Sequence, residues 1–228
     1  MLSAPAFTPA RLRRLCGFTH ARARRMHGFT LAEMMVGVAI SLFLLTGLIL
    51  AFTSASKSSS DTLRLLKGSQ DLRGAMLLMG RDVRRAGYWA NATTMVGSKT
   101  TVNPFAAINT AVAGCILFSY DQNSNGALDA AESFGYRLKN GVIEARTGGS
   151  TDDCNGAGNT WEALTEPNVN QVTALAFGLS EKAAAISGGG QMIVREVVID
   201  AAAQLTRDAS VKQTFSETIR IRNDAYRP

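Results

Sequence analysis

The chain has 228 residues, room for one helix-plus-domain unit or two small domains, with 24 Lys and Arg against 18 Asp and Glu. Six of the basic residues (Arg11, Arg13, Arg14, Arg22, Arg24 and Arg25) stand in residues 1–28 with no acid among them, so 18 basic face 18 acidic residues from Phe29 onward and no nucleic-acid partner is expected. Both histidines, His20 and His27, lie in the same tail, which excludes a Ser–His–Asp triad, a Cys–His pair and a histidine-ligated zinc site from everything after Gly28.

Arginines placed just before an apolar span stay cytoplasmic, so residues 1–28 read as a topogenic signal. From Met34 to Ser56 run 23 residues without a charge, dominated by Leu, Ile, Val, Phe and Met. That suffices to cross ~30 Å of hydrocarbon as a helix. It is too long for the ~7–15-residue core of a cleaved secretory signal. Glu33 stands at the head of the run, where a carboxylate costs ~2.5–3.5 kcal/mol unless paired.

Gly28-Phe29-Thr30-Leu31-Ala32-Glu33, set between the basic tail and the apolar run, resembles the type IV prepilin processing motif. The resemblance implies that a membrane-embedded prepilin peptidase cuts after Gly28 and methylates the new amino terminus, Phe29. It also gives Glu33 a role in assembly. The chemistry of the residues agrees. Glycine lets an extended backbone enter a protease cleft without a side-chain clash. A new α-amino group, in the same helical turn or on an adjacent subunit, is a cation that would neutralise Glu33 and draw a subunit into register. A signal anchor with a snorkelling glutamate is the alternative.

No proline occurs between Pro9 and Pro104, so a helix begun near Phe29 meets no obligatory breaker. Leu63, Leu66, Leu72, Met76, Met79 and Val83 recur at three- and four-residue steps, predicting an amphipathic continuation. Arg84, Arg85 and Gly87 mark its end. From Phe29 to Ala86 that is 58 residues, or ~87 Å at the α-helical rise, with a soft spot expected at Ser54 to Ser60. Ile116 to Tyr120 reads as a strand. Phe134 to Lys139 and Val142 to Arg146 read as a hairpin across Asn140-Gly141, a type I′ signal. Leu175, Phe177 and Leu179, then Gln191 to Asp200, then Val211 to Ile221 predict further strands, the last of them closing the fold. Gly148 to Asn159 and Ser187 to Gly190 read as loops. The expected fold is α+β, type IV pilin-like: a long amino-terminal helix, its first half transmembrane, packed on an antiparallel β-sheet. The expected parts are a cytoplasmic leader 1–28, a membrane and assembly segment 29–56, an amphipathic segment 57–88, and an extracytoplasmic β-rich domain 89–228.

Met34-Met35-Val36-Gly37, Asp71-Leu72-Arg73, Arg84-Arg85-Ala86-Gly87-Tyr88, Tyr120-Asp121 and Phe134-Gly135-Tyr136-Arg137-Leu138 are similar to the PilW family of minor pilins. That resemblance implies a subunit of the complex that primes pilus assembly, with prepilin peptidase, other minor and major pilins, and inner-membrane lipid as partners. It further implies a single-pass inner-membrane location with a periplasmic domain, then the pilus. The minor pseudopilins of type II secretion share the helix and its Arg-rich end and are the alternative. A membrane-tethered extracytoplasmic enzyme or sensor is the third reading, which the missing histidines disfavour; no enzyme and no organic cofactor are expected.

Two features of the extracytoplasmic part carry their own chemistry. Cys115 and Cys154 are the cysteines left after Cys16 in the tail; outside the cytoplasm they read as one disulfide, in the cytosol as buried thiols. Residues 121–132 fit D-x-[DN]-x-[DN]-G-x5-E at every defined position. Asp121, Asn123, Asn125, the Ala127 carbonyl, Asp129 and bidentate Glu132 would supply the six to eight oxygens that Ca2+ needs. The strands on either side are unlike the paired helices of an EF-hand, and a metal-free Asx- and Gly-rich connection is the alternative.

Overall fold

The computed structural model describes residues 28–95, 98, 100–187 and 189–227. The expected leader, with His20, His27 and Cys16, falls outside them apart from Gly28. The chain divides into two compact units, one ending at Ser54 and the other Ala55–Pro228. Helix α1, Leu31–Val83, passes from one into the other.

In the first unit α1 starts two residues after Phe29 because Thr30 serves as its cap. The side chains of Met34, Val36, Ile40, Leu44, Leu48 and Phe52 are all exposed. Ser41 and Thr46 donate their hydroxyls to the Gly37 and Leu42 carbonyls, and Thr53 donates to Leu50. These polar groups are therefore satisfied within the helix, the condition for a helical segment in lipid.

In the second unit α1 continues without a break. The soft spot expected at Ser54 to Ser60 is regular helix. The Ser60 and Thr62 hydroxyls bond back to the Ser56 and Ser58 carbonyls, one turn earlier, so they do not pull the backbone into another conformation. The buried stripe runs Gly68, Leu72, Ala75, Met76, Met79, Gly80, Val83. Leu63 and Leu66, grouped with that stripe by their spacing, are instead 65% and 54% exposed. The helix first meets the strands at Gly68, where a Cβ would come within 2.6 Å of the Leu205 side chain.

Residues 84–107 lie between the helix and the first strand, and the strands then follow as antiparallel neighbours. Strands β1 (Ile108–Asn109), β2 (Cys115–Ser119), β3 (Ser133–Lys139), β4 (Val142–Gly148) and β5 (Thr160–Ala163) form one sheet in that order. The β3–β4 turn has Asn140 and Gly141 at φ 52° and 78°, the left-handed pair of a type I′ turn, and Lys139 faces Val142 across it. Strands β6 (Asn170–Ala185), β7 (Gln191–Leu205) and β8 (Asp208–Arg220) form a second sheet, with β9 (Ala225–Arg227) also on β7. Two antiparallel sheets thus stand where one was expected. β5 already occupies the outer edge of β4, so β6 has no edge there and pairs with β7 alone. Nor does the chain end its strands at Ile221, since β9 resumes along β7 after a break.

One core joins these elements. Leu72, Met76, Met79 and Val83 of α1 pack with Ile116, Phe118, Tyr136 and Ile143 of the first sheet, with Tyr120 just beyond β2, and with Val197, Ile199 and Ile219 of the second. Burying large aliphatic side chains of this kind stabilises by ~1.5–3 kcal/mol each.

Candidate functional site

The amino-terminal motif sits at the start of α1. Phe29 is 84% exposed, and an added Cβ on Gly28 would meet nothing within 4 Å among the described residues. The next residues close a capping box. Glu33 Oε2 accepts from the Thr30 backbone N–H (2.8 Å) and from the Thr30 hydroxyl (2.9 Å), while the Glu33 N–H donates back to Thr30 Oγ1 (3.2 Å). Two donors orphaned at the helix start are thereby satisfied. Sequence reasoning read Glu33 through its charge and missed this second duty. The signal was present as Thr30-Leu31-Ala32-Glu33, the Ser/Thr-x-x-Glu box. By length and composition α1 can cross a membrane.

The far end of α1 is held by groups that local sequence does not announce. The Asn223 side-chain amide donates to the Arg85 and Ala86 carbonyls (3.1 and 3.2 Å), and the Arg222 N–H donates to Arg84 O (3.0 Å). Gly87, at φ 76°, sends its N–H to Ser119 O rather than back along the helix. The helix therefore stops at Val83 and not at Ala86, because the connection between β8 and β9 takes the carbonyls that follow. Buried Arg195 donates to the Ala106 and Asn223 carbonyls, and burial lowers its pKa. Asn170, also buried, donates to Gly68 O (2.7 Å) and Asp71 Oδ2 (3.0 Å). Tyr136 on β3 donates to Asp82 Oδ2 at 2.7 Å, and burial followed by that hydrogen bond raises its pKa. These contacts lock the second half of α1 to both sheets.

Cys115 and Cys154 are joined, with Cα atoms 6.5 Å apart, and the bridge packs with Leu117 and Trp161. It ties β2 to the loop after β4. Arg146 holds the same loop, donating to Thr151 O (2.8 Å) and Asn159 Oδ1 (2.6 Å).

Residues 121–132 form the β2–β3 connection, ending in a single 3₁₀ turn, Ala130–Glu132. Asp121 Oδ2 accepts from the Gly126 N–H, Asn123 Oδ1 from the Asn125 N–H, and Asn125 Oδ1 from the Ala127 N–H. Glu132 is buried, not turned to solvent. Its Oε1 accepts from the Gln122 and Asn123 N–H groups and its Oε2 from the Asp129 N–H. Asp129 Oδ2 accepts from the Asn123 and Asn125 amides. Among the described residues, no three His, Cys, Asp or Glu side chains gather into a metal-holding group. Any ion in this loop would depend on Asn and backbone oxygens as well as carboxylates.

Comparison with known proteins covers most of the chain. Residues 61–221 match the family described as prepilin peptidase-dependent protein B, and residues 23–49 match the prokaryotic N-terminal methylation motif. Prepilin peptidase-dependent protein B of Escherichia coli (strain K12) is 27% identical over 143 residues, which are 60% of this chain and 70% of that protein. No solved structure matches.

Proposed function

The chain belongs to the prepilin peptidase-dependent protein B family, and from that premise we propose that it is a minor pilin of PilW type, a structural subunit that helps assemble a type IV pilus. The observation that carries this reading is the exposed Phe29, followed by a capped helix whose first half shows a charge-free, largely apolar surface. Prepilin peptidase would cut after Gly28 and methylate Phe29, and the helix would hold the subunit in the inner membrane with its second unit in the periplasm. Other minor and major pilins would then replace lipid around the same apolar residues as the subunit enters the filament. Glu33 supports a placement role: one carboxylate at the head of the apolar run is neutralised only when a cation, the freed Phe29 amino group of its own or a neighbouring chain, comes into register.

Mass spectrometry of the purified mature protein tests the processing step. The expected amino terminus is a methylated Phe29; a chain that still begins at Met1, or begins beyond Ala55, overturns it. Deleting the gene separates the pilus reading from the type II pseudopilin reading. Loss of surface pili with secretion intact supports the first, and loss of secretion with pili intact supports the second.

A further inference from the structure

We propose that residues 121–132 form a calcium site. A loop rich in carboxylates is not evidence enough, but this one has a buried acceptor with nothing to accept from. Asp121 is 1% exposed. Its Oδ2 takes the Gly126 N–H from across the loop and the Ala90 N–H, both at 3.0 Å, while its Oδ1 is buried without a hydrogen-bond partner among the described residues. The bond to Gly126 holds this carboxyl group against the loop, and its second oxygen is the one left over for a further ligand.

Charge points the same way. Asp121 and Glu132 are both buried, and neither has an ion-pair partner among the described residues. Buried carboxylates are ordinarily paired with a cation or bound to a metal. The hydrogen bonds that shape the loop leave its oxygens available, since each carbonyl oxygen has two lone pairs and each carboxylate about four. Asn123 Oδ1 and Asn125 Oδ1 each accept one N–H, Asp129 and Glu132 supply carboxylate oxygens, and Ala127 supplies its carbonyl. Such an all-oxygen set of mixed charge suits a hard cation of flexible coordination, which is Ca2+, better than Mg2+ with its near-octahedral demand. Gly126 is required in any case. Its φ is 77°, and a Cβ there would overlap the Asn91 amide.

The site is coupled to the end of α1. Trp89 donates its indole N–H to Gly126 O (2.9 Å), and Asp121 N–H donates to Tyr88 O (2.9 Å). An ion held by Asp121 would therefore stiffen the segment leaving the helix, and Trp89 would report it.

The test uses the full-length mature chain in detergent micelles, titrated with CaCl2 or MgCl2 and followed by thermal melting and tryptophan fluorescence. Calcium about tenfold above Kd should raise Tm by about 3–5 °C by mass action, with a fluorescence change that saturates at the same concentration. Asp121→Asn should abolish both responses. Because that variant also disturbs the Ala90 and Gly126 hydrogen bonds, Asn125→Asp supplies a second test. It adds a carboxylate opposite Asp129, so it should melt below wild type without calcium and gain a larger calcium-dependent rise. Neither wild type nor Asn125→Asp responding at about 10 mM calcium, tenfold above the weakest range of extracellular calcium modules, overturns the proposal. An equal rise with magnesium overturns the assignment to calcium.

Discussion

At position 33 one carboxylate closes the first turn of α1 and also stands at the head of the charge-free run. The two duties can be separated by substitution. Thr30→Ala removes the cap and should cost the helix start ~0.5–2 kcal/mol while leaving the charge in place. Glu33→Gln keeps the shape and removes the charge. If register depends on charge, quantitative blotting of sheared filaments should show Glu33→Gln strongly depleted and Thr30→Ala near wild type; equal depletion would make the cap, not the charge, the assembly feature. A second residue, Tyr136, links α1 to β3 through Asp82. Its folded-state pKa is raised above the ordinary value of 10.0, by burial first and by Asp82 second. The protonated phenol is thus favoured by folding: its contribution is whole below pH about 10 and is lost as pH rises, because the unfolded chain releases the proton first. Tyr136→Phe should cost ~1.5–3 kcal/mol at neutral pH, as expected for a hydrogen bond to a charged group. It should also flatten the alkaline fall in stability, as read by urea melts between about pH 8 and 11.

At the scale of the element, α1 shows how far periodicity carries. Its large apolar positions from Leu72 to Val83 were legible, and so were the hairpin at Asn140-Gly141 and the strands read at Ile116 to Tyr120 and Gln191 to Asp200, which run from Cys115 to Ser119 and from Gln191 to Leu205. Which of the helical leucines are buried was not. Leu66 and Leu72 look equivalent in sequence, yet Leu66 is exposed and Leu72 is fully buried. Leu72→Ala should destabilise by ~2–5 kcal/mol and Leu66→Ala by no more than about 0.5 kcal/mol, measured by denaturant unfolding of the chain in mild detergent. Similar losses at both positions would mean that the face buried against the strands is wider than Gly68 to Val83.

Across the whole molecule the second unit is closed by cross-links between distant parts of the chain. The disulfide joins residues 39 apart in sequence. Replacing both Cys115 and Cys154 by Ser should lower stability by ~4 kcal/mol in the chain-entropy model, and reduction of the wild type should do the same. A double variant as stable as wild type would show that the Arg146 contacts alone hold the loop after β4. The pairing was legible once an extracytoplasmic location was read from the amino-terminal signal. The grip of Asn170, Arg195 and Asn223 on α1 and its neighbours was not, since nothing in the residues around them marks them as partners of segments up to 138 positions away.

By itself the sequence determined what depends on near neighbours: the processing motif, the charge-free run, the helix it opens, the left-handed turn at Asn140-Gly141 and the oxygen-rich spacing of residues 121–132. The motif rests on its resemblance to prepilin signals, and the others on steric limits, periodicity or charge over a few residues. Tertiary structure alone decided that α1 ends at Val83, that its packed face begins at Gly68, that the strands divide into two sheets, and that Asp121 is buried with a free oxygen. Those outcomes depend on which distant groups compete for the same carbonyls, strand edges and volume, and that competition is resolved only when the chain has closed on itself.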